Sequence, residues 1–209
     1  MKVVICTMPM RAPNEVKPVV YRVDGNKAIE YDKPVRSPIN AVLAKTLKKG
    51  EELKVIYIMT TGKNSHCEEN KAVFIKELED INAETGAVLS YDTVEMEFSA
   101  TKQTYNKLIT DLTEKIREKD IELYVDITYG FKPEILSLFC ALSFVEEFRN
   151  AVVEYFIYGK AEFNKETREI EDPVIFDITS LYYLFKLIGT IGTDDAEKAS
   201  KILKDFFDL

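Results

Sequence analysis

Residues 121–149 read IELYVDITYGFKPEILSLFCALSFVEEFR, and the order of residue types in this stretch decides the fold class. It is apolar up to Val125, then polar or small at Asp126, Thr128, Gly130 and Lys132, and after Pro133 it turns apolar on every side. A short continuous apolar run suits a buried strand, and a proline ahead of a long apolar segment suits a helix start. A buried strand running directly into a helix is the repeating unit of a parallel sheet. An ordinary turn of this kind needs one glycine and one capping residue, so the density of polar groups here asks for a further role.

The same alternation extends outward in both directions. Val3 to Cys6 reads as a buried strand ended by Pro9, and residues 21–31, YRVDGNKAIEY, read as a hairpin turning at Asp24-Gly25. Ser37-Pro38 opens a helix carrying Ile39, Val42, Leu43 and Leu47 up to Gly50. Lys54 to Met59 is the next strand, followed by the polar loop from Thr60 to Ser65 and a helix that ends at Gly86. Leu89 to Phe98 returns as a strand, and Ser99 or Thr101 caps a helix with one apolar stripe through Leu108 and Leu112. Beyond Arg149, Val152 to Phe163 and Arg168 to Asp177 read as a long hairpin turning near Asn164-Lys165, and two helices broken at Gly192 follow. The expected architecture is α/β: a Rossmann-like, mostly parallel sheet with helices on both faces, plus a C-terminal β-hairpin and helices. Residues 1–191 form one domain in this reading, and 192–209 a C-terminal helix packed on it.

Composition narrows the function. The 209 residues carry 28 basic and 36 acidic side chains, a formal charge of -8 that repels nucleic acid and anionic membrane, so an anionic ligand needs a local site. Cys6, Cys67 and Cys140 are odd in number and lack CxxC spacing, and Cys6 and Cys140 fall in runs that read as buried, which points to free thiols and a cytoplasmic protein. His66 is the only histidine, so a zinc site or a histidine-dependent nucleophile would have to use it; it reads instead as a solvated loop residue, and no metal is expected. There is no signal-peptide core, and the apolar stretch from Ile135 to Val145 is too short to span a bilayer, so no membrane is expected. No GxGxxG follows the first strand and no GxxxxGK[ST] occurs, which leaves a dinucleotide cofactor or P-loop without support.

Ligands of open parallel sheets sit at the carboxyl ends of the strands. Three such ends carry candidate residues: Thr7 with Met8; Thr60, Thr61, Gly62 and Asn64; and Asp126 to Lys132. Lys132 and the first N–H groups of the helix after it could converge on a phosphate. Gly130 would admit a ligand close to the backbone, and Thr128 offers a hydroxyl. Met8, Tyr129 and Phe131 offer surface for a base. The alternative is that Asp126 and Thr128 satisfy local backbone groups while Lys132 points to water. The helix from Pro133 to Arg149 has almost no polar side, so it must be covered on both sides, either by a second copy of the chain or by Leu181, Leu184, Phe185 and Ile188 of the C-terminal helices.

The run Asp126-x-Thr128-x-Gly130-x-Lys132 at the end of the fourth strand resembles the motif of the CARF family, the CRISPR-associated Rossmann-fold sensors of type III systems. Thr7 is similar to the small hydroxyl residue that family places after its first strand, and Thr60 and Thr61 to its polar loop after the second. Tyr129 departs from the pattern, which often has histidine there. The likeness in element order runs from Met1 to about Ile191.

That resemblance implies a homodimer binding a cyclic oligoadenylate, most often cyclic tetra-adenylate, across its two-fold axis. His66 has no arginine at the spacing of a HEPN ribonuclease motif, so no HEPN domain is expected. A ring nuclease would then cut the messenger without metal, the ribose 2′-OH attacking the neighbouring phosphate. In it Lys132 would stabilise charge and Thr7 or Thr61 would orient the ribose. A non-catalytic sensor is the second possibility. The third, a transcription regulator reading DNA through the helices around Gly192, is disfavoured by Asp194, Asp195, Glu197, Asp205 and Asp208.

Overall fold

The computed structural model describes residues 1–99, 101–163 and 170–207. In chain order its elements are β1 (Lys2–Thr7), β2 (Arg22–Asp24), α1 (Pro38–Thr46), β3 (Glu52–Thr61), α2 (Cys67–Thr85), β4 (Val88–Glu97) and α3 (Lys102–Lys115). They continue with β5 (Glu122–Asp126), α4 (Glu134–Arg149), β6 (Val152–Phe163), β7 (Ile170–Asp177), α5 (Thr179–Thr190) and α6 (Ala196–Phe207). The seven strands form one sheet in the order β2-β7-β6-β5-β1-β3-β4. All neighbours are parallel except β6 and β7, so this is a Rossmann-like α/β fold with an antiparallel pair, as the alternation of strands and helices predicts. The expected turn at Asn164-Lys165 and the start of its second arm at Arg168 lie outside the described residues.

The central strands are buried on both faces because helices cover both. Val4 and Cys6 of β1 join Val55 and Tyr57 of β3 in the core beneath α1 and α2, which supply Leu43, Phe74 and Leu78. Val3 and Ile5 face the other way, with Ile56, Ile58 and Val125, against Leu108 and Leu112 of α3 and Leu138 and Leu142 of α4.

Several local expectations need correction. Residues 21–31 are not a hairpin: Asp24-Gly25 does turn, with Gly25 at φ +91°, but β2 pairs in parallel with β7 and the return forms a short 3₁₀ turn. The Asn26 side chain accepts the Ala28 N–H at 3.2 Å, and the Glu30 carboxylate accepts the Val23 N–H at 2.8 Å, in place of a partner strand. α1 stops at Thr46 rather than running to Gly50. Buried Lys2 donates to the Thr46 carbonyl at 2.7 Å and pairs with Glu51 at 2.7 Å, and Glu51 accepts the Lys48 N–H, which closes the chain into a turn there.

α4 is not covered all round. Leu136 is 71 % exposed and Phe148 62 %, with Phe144 and Cys140 also exposed. The expected burial of Cys140 therefore fails, because it faces outward with that apolar row. α5 docks beside α4 through Tyr182, which stacks on Phe156 at 5.5 Å and donates to Glu146, but it leaves its own Leu181, Phe185 and Ile188 exposed. α6 has no fully buried residue among those described, and its Ile202, Leu203 and Phe206 are half-buried. No helix of the described residues is long and apolar enough to cross a membrane.

Candidate functional site

The end of β5 contributes structure before it contributes chemistry. Asp126 is 3 % exposed, and its carboxylate accepts the Ile39 N–H at 3.2 Å, the Thr128 N–H at 2.8 Å and the Thr128 hydroxyl at 2.5 Å. The Thr128 hydroxyl in turn accepts the Gly159 N–H at 2.8 Å. Burial raises the Asp126 carboxyl to about 6, against the pull of those donors. Asp126 therefore anchors the first turn of α1, and Thr128 ties the loop to β6. Gly159 makes this possible, since a Cβ there would lie 2.4 Å from Pro38 Cγ and 2.9 Å from Thr128 Oγ1. Asp126, predicted as a ligand contact, is thus a scaffold residue with its carboxylate saturated by the protein.

The start of α4 also differs from expectation. The N–H groups of Glu134, Ile135 and Leu136 already donate to the carbonyls of Phe131, Lys132 and Pro133. The Glu134 carboxylate accepts the Phe131 N–H at 3.1 Å. No row of free amides awaits a phosphate there. Glu134 itself went unnoticed in the sequence: it is 1 % exposed, its Oε1 has no partner, and burial pushes its carboxyl up to about 7. Lys132 is exposed and lines no cavity of its own protomer at this edge.

Beyond these anchors, a cavity of about 290 Å³ opens at the carboxyl ends of β1, β3 and β5. Met8, Thr60, Tyr129, Gly130 and Phe131 of the candidate residues line it, together with Phe98 just past β4. The Phe98 and Phe131 rings meet edge to face at 5.0 Å and form one wall. Tyr129 is held by its hydroxyl on the Arg36 carbonyl at 3.0 Å and by its ring against Phe74. Gly130 backs closely on Thr7: a Cβ there would lie 3.3 Å from Thr7 Oγ1, tighter than most such contacts. Thr7 is 4 % exposed, and its hydroxyl has no partner, an unusual state for a buried polar group.

The predicted loop after β3 is only partly at the site. Thr60 lines the cavity and its carbonyl accepts the Ser65 hydroxyl at 2.6 Å, which fixes the loop. Thr61 turns away, donates to the Met96 carbonyl at 3.2 Å, and lines a separate hollow with Glu97 and Thr104. Gly62 and Asn64 are exposed and line neither. Asn64 takes a left-handed φ of +67°, so its part is to turn the loop.

Arg11 was missed. It lines the 290 Å³ cavity and also an adjoining one of about 360 Å³ formed with Tyr21, Thr128, Tyr129, Tyr158 and Gly159. Its guanidinium lies 5.6 Å from the centre of the Tyr129 ring. The available signal was a cation set in the irregular MPMRAP stretch right after the first strand of an acidic chain. A larger cavity, about 590 Å³ between α2 and residues 31–36, shares no lining residue with this edge. Its Glu77 already accepts from Arg36 N, Ser37 N and Asn40, as an internal brace would. Among the described residues no group of three or more His, Cys, Asp and Glu side chains is placed to hold a metal ion.

A scan against models of known protein families finds no match to the chain, and a search of curated proteins finds none either.

Proposed function

We propose that this chain binds a cyclic oligoadenylate, with cyclic tetra-adenylate favoured, as a homodimer formed through α4, and serves type III CRISPR antiviral signalling in the cytoplasm. The observation that carries the reading is an aromatic-walled cavity at the sheet's carboxyl edge whose Phe131 stands just ahead of the exposed apolar row of α4. Aromatic walls hold nucleobases without needing charge, and a base stacked on such a wall gains about 1–3 kcal/mol. The uncovered α4 face supplies the apolar surface that association needs, and a two-fold axis would set two such cavities against one symmetric ring. The Asp126-x-Thr128-x-Gly130-x-Lys132 resemblance to the CARF sensors supports a ring of adenylates as the ligand.

Cleavage is a second reading, favoured by the unpartnered Thr7 hydroxyl pressed against Gly130. In it that hydroxyl orients a ribose, the 2′-OH attacks the adjacent phosphorus, the 5′-oxygen leaves, and a cyclic 2′,3′-phosphate remains on a linear product. Lys132, exposed at the start of α4, would meet the ligand at the shared interface and offset the charge on phosphorus. Calorimetric titration with cyclic tri-, tetra- and hexa-adenylate, followed by chromatography of the same samples in EDTA, tests both readings. Saturable binding of one ring is expected, and linear product distinguishes the nuclease from the sensor. Failure to bind any ring contradicts the proposal.

A further inference from the structure

The groove at the carboxyl edge has two chemically different halves. One is the cavity walled by Met8, Phe98 and Phe131; the other is hydroxyl-rich, with Tyr21, Tyr158 and Thr128, and the boundary between them is Tyr129 with Arg11 beside its ring. The backbone at Arg11 is held from below. Fully buried Asn70 donates to the Arg11 carbonyl at 2.8 Å and to the Pro9 carbonyl at 2.8 Å, and the His66 N–H donates to the Met10 carbonyl at 3.0 Å. Among the described residues no carboxylate pairs with the Arg11 guanidinium, although the chain carries 36 acidic side chains. A planar, permanently charged fork on a fixed backbone, at the junction of two cavities, resting on Tyr129 and with no carboxylate to neutralise it, is suited to a phosphodiester.

We propose that Arg11, not Lys132, is the principal phosphate-binding residue of this groove. A base occupies the Phe98 and Phe131 half, the phosphate that follows it lies on Arg11, and the next nucleoside enters the Tyr21 and Tyr158 half. Each protomer thus takes one dinucleotide step. This rests on the nucleotide reading given above but does not depend on the ligand being a ring.

The test is calorimetry of the whole chain, wild type and the variants Arg11→Ala, Arg11→Lys and Lys132→Ala, with cyclic tetra-adenylate at low and moderate salt. Loss of charge-assisted hydrogen bonds predicts about 10- to 100-fold weaker binding for Arg11→Ala, with a flatter salt dependence. Arg11→Lys recovers only part of the affinity, because a lysine cannot make the forked contact, and Lys132→Ala weakens binding less than Arg11→Ala does. Since the exposed Arg11 side chain supports none of the backbone bonds named above, an unchanged melting temperature separates lost contact from lost fold. Wild-type affinity in Arg11→Ala overturns the proposal. If the wild type binds no ring, the parent reading has failed, and the linear dinucleotide ApA is compared with adenosine. Binding of ApA but not adenosine, abolished in Arg11→Ala, supports the phosphate site; no binding of ApA, or equal binding by the variant, refutes it.

Discussion

The two faces of the sheet are finished to different degrees. Under α1 and α2, the side-chain amides of buried Asn40 and Asn70 and the Ser37 N–H donate to protein partners, with Asn70 Oδ1 left without one, and neither helix leaves a large apolar side chain exposed. On the opposite face α4 and α5 expose Leu136, Phe144, Phe148, Leu181, Phe185 and Ile188. Both helix pairs cover the same kind of β surface, so the difference lies in the outward sides of the helices. A face sealed by its own polar braces needs nothing further; the exposed apolar row of α4 and α5 is the surface that the proposed dimer would cover. The candidate site lies at the carboxyl edge of the sheet, with Met8, Met10 and Tyr129 packed on the α1/α2 core and Phe131 leading into α4.

Charging the open face gives the largest expected effect. Leu136→Glu combined with Phe148→Glu should convert a dimer to monomers in sedimentation at micromolar concentration and reduce ring binding by more than about 100-fold, since ion burial at such an interface is prohibitive. Ala72→Glu on the exposed side of α2 should leave both measurements unchanged. A dimer that survives the first pair, or is lost with the second change, breaks the comparison.

Next in size is the brace at the end of β5. Asp126→Ala strands the Ile39 N–H, the Thr128 N–H and the Thr128 hydroxyl, and should cost roughly 3 kcal/mol in urea denaturation. A cost below about 1 kcal/mol would mean that Asp126 is not the scaffold described.

The two buried carboxyls predict a pH dependence of stability. Both have folded-state values raised above the ordinary carboxylate range, Asp126 to about 6 and Glu134 to about 7. The folded state therefore binds more protons than the unfolded state in between, and stability falls as pH rises through that window. Asp126 is half-ionised at about pH 6 and Glu134 at about pH 7, so the upper part of the decline is weighted to Glu134, whose whole effect is roughly 3 kcal/mol. Glu134→Gln should remove that last part of the decline in thermal melts. A wild-type melting temperature that is flat from pH 6 to 7 contradicts the assignment.

Gly159→Ala tests how tightly the braced side is packed. Its Cβ would meet Pro38 Cγ at 2.4 Å, so α1 or β6 must shift, at a cost of about 2 kcal/mol by denaturation. Full tolerance would show that the α1 face has slack.

Much of this architecture is legible in the sequence, because strand and helix alternate with clear periodicity from Val3 to Arg149. The parallel seating of β2 on β7 is not legible: three residues carry no periodic signal, and a side-chain bond from Asn26 diverts the expected hairpin into a 3₁₀ turn. At the site, the sequence points to Met8, Thr60, Tyr129, Gly130 and Phe131, which lie at or just after strand ends. It does not distinguish Asp126 as a brace from Asp126 as a ligand contact, because that difference is set by Ile39, which is distant in sequence. Arg11 and Phe98 reach the cavity from irregular segments or strand tips, where spacing carries no information about direction.

The central claim, one groove shared by two chains, is tested most directly by the stoichiometry of a calorimetric titration with cyclic tetra-adenylate. The account predicts saturation at about one ring for every two chains. Saturation at one ring per chain, or no heat of binding at all, would contradict it.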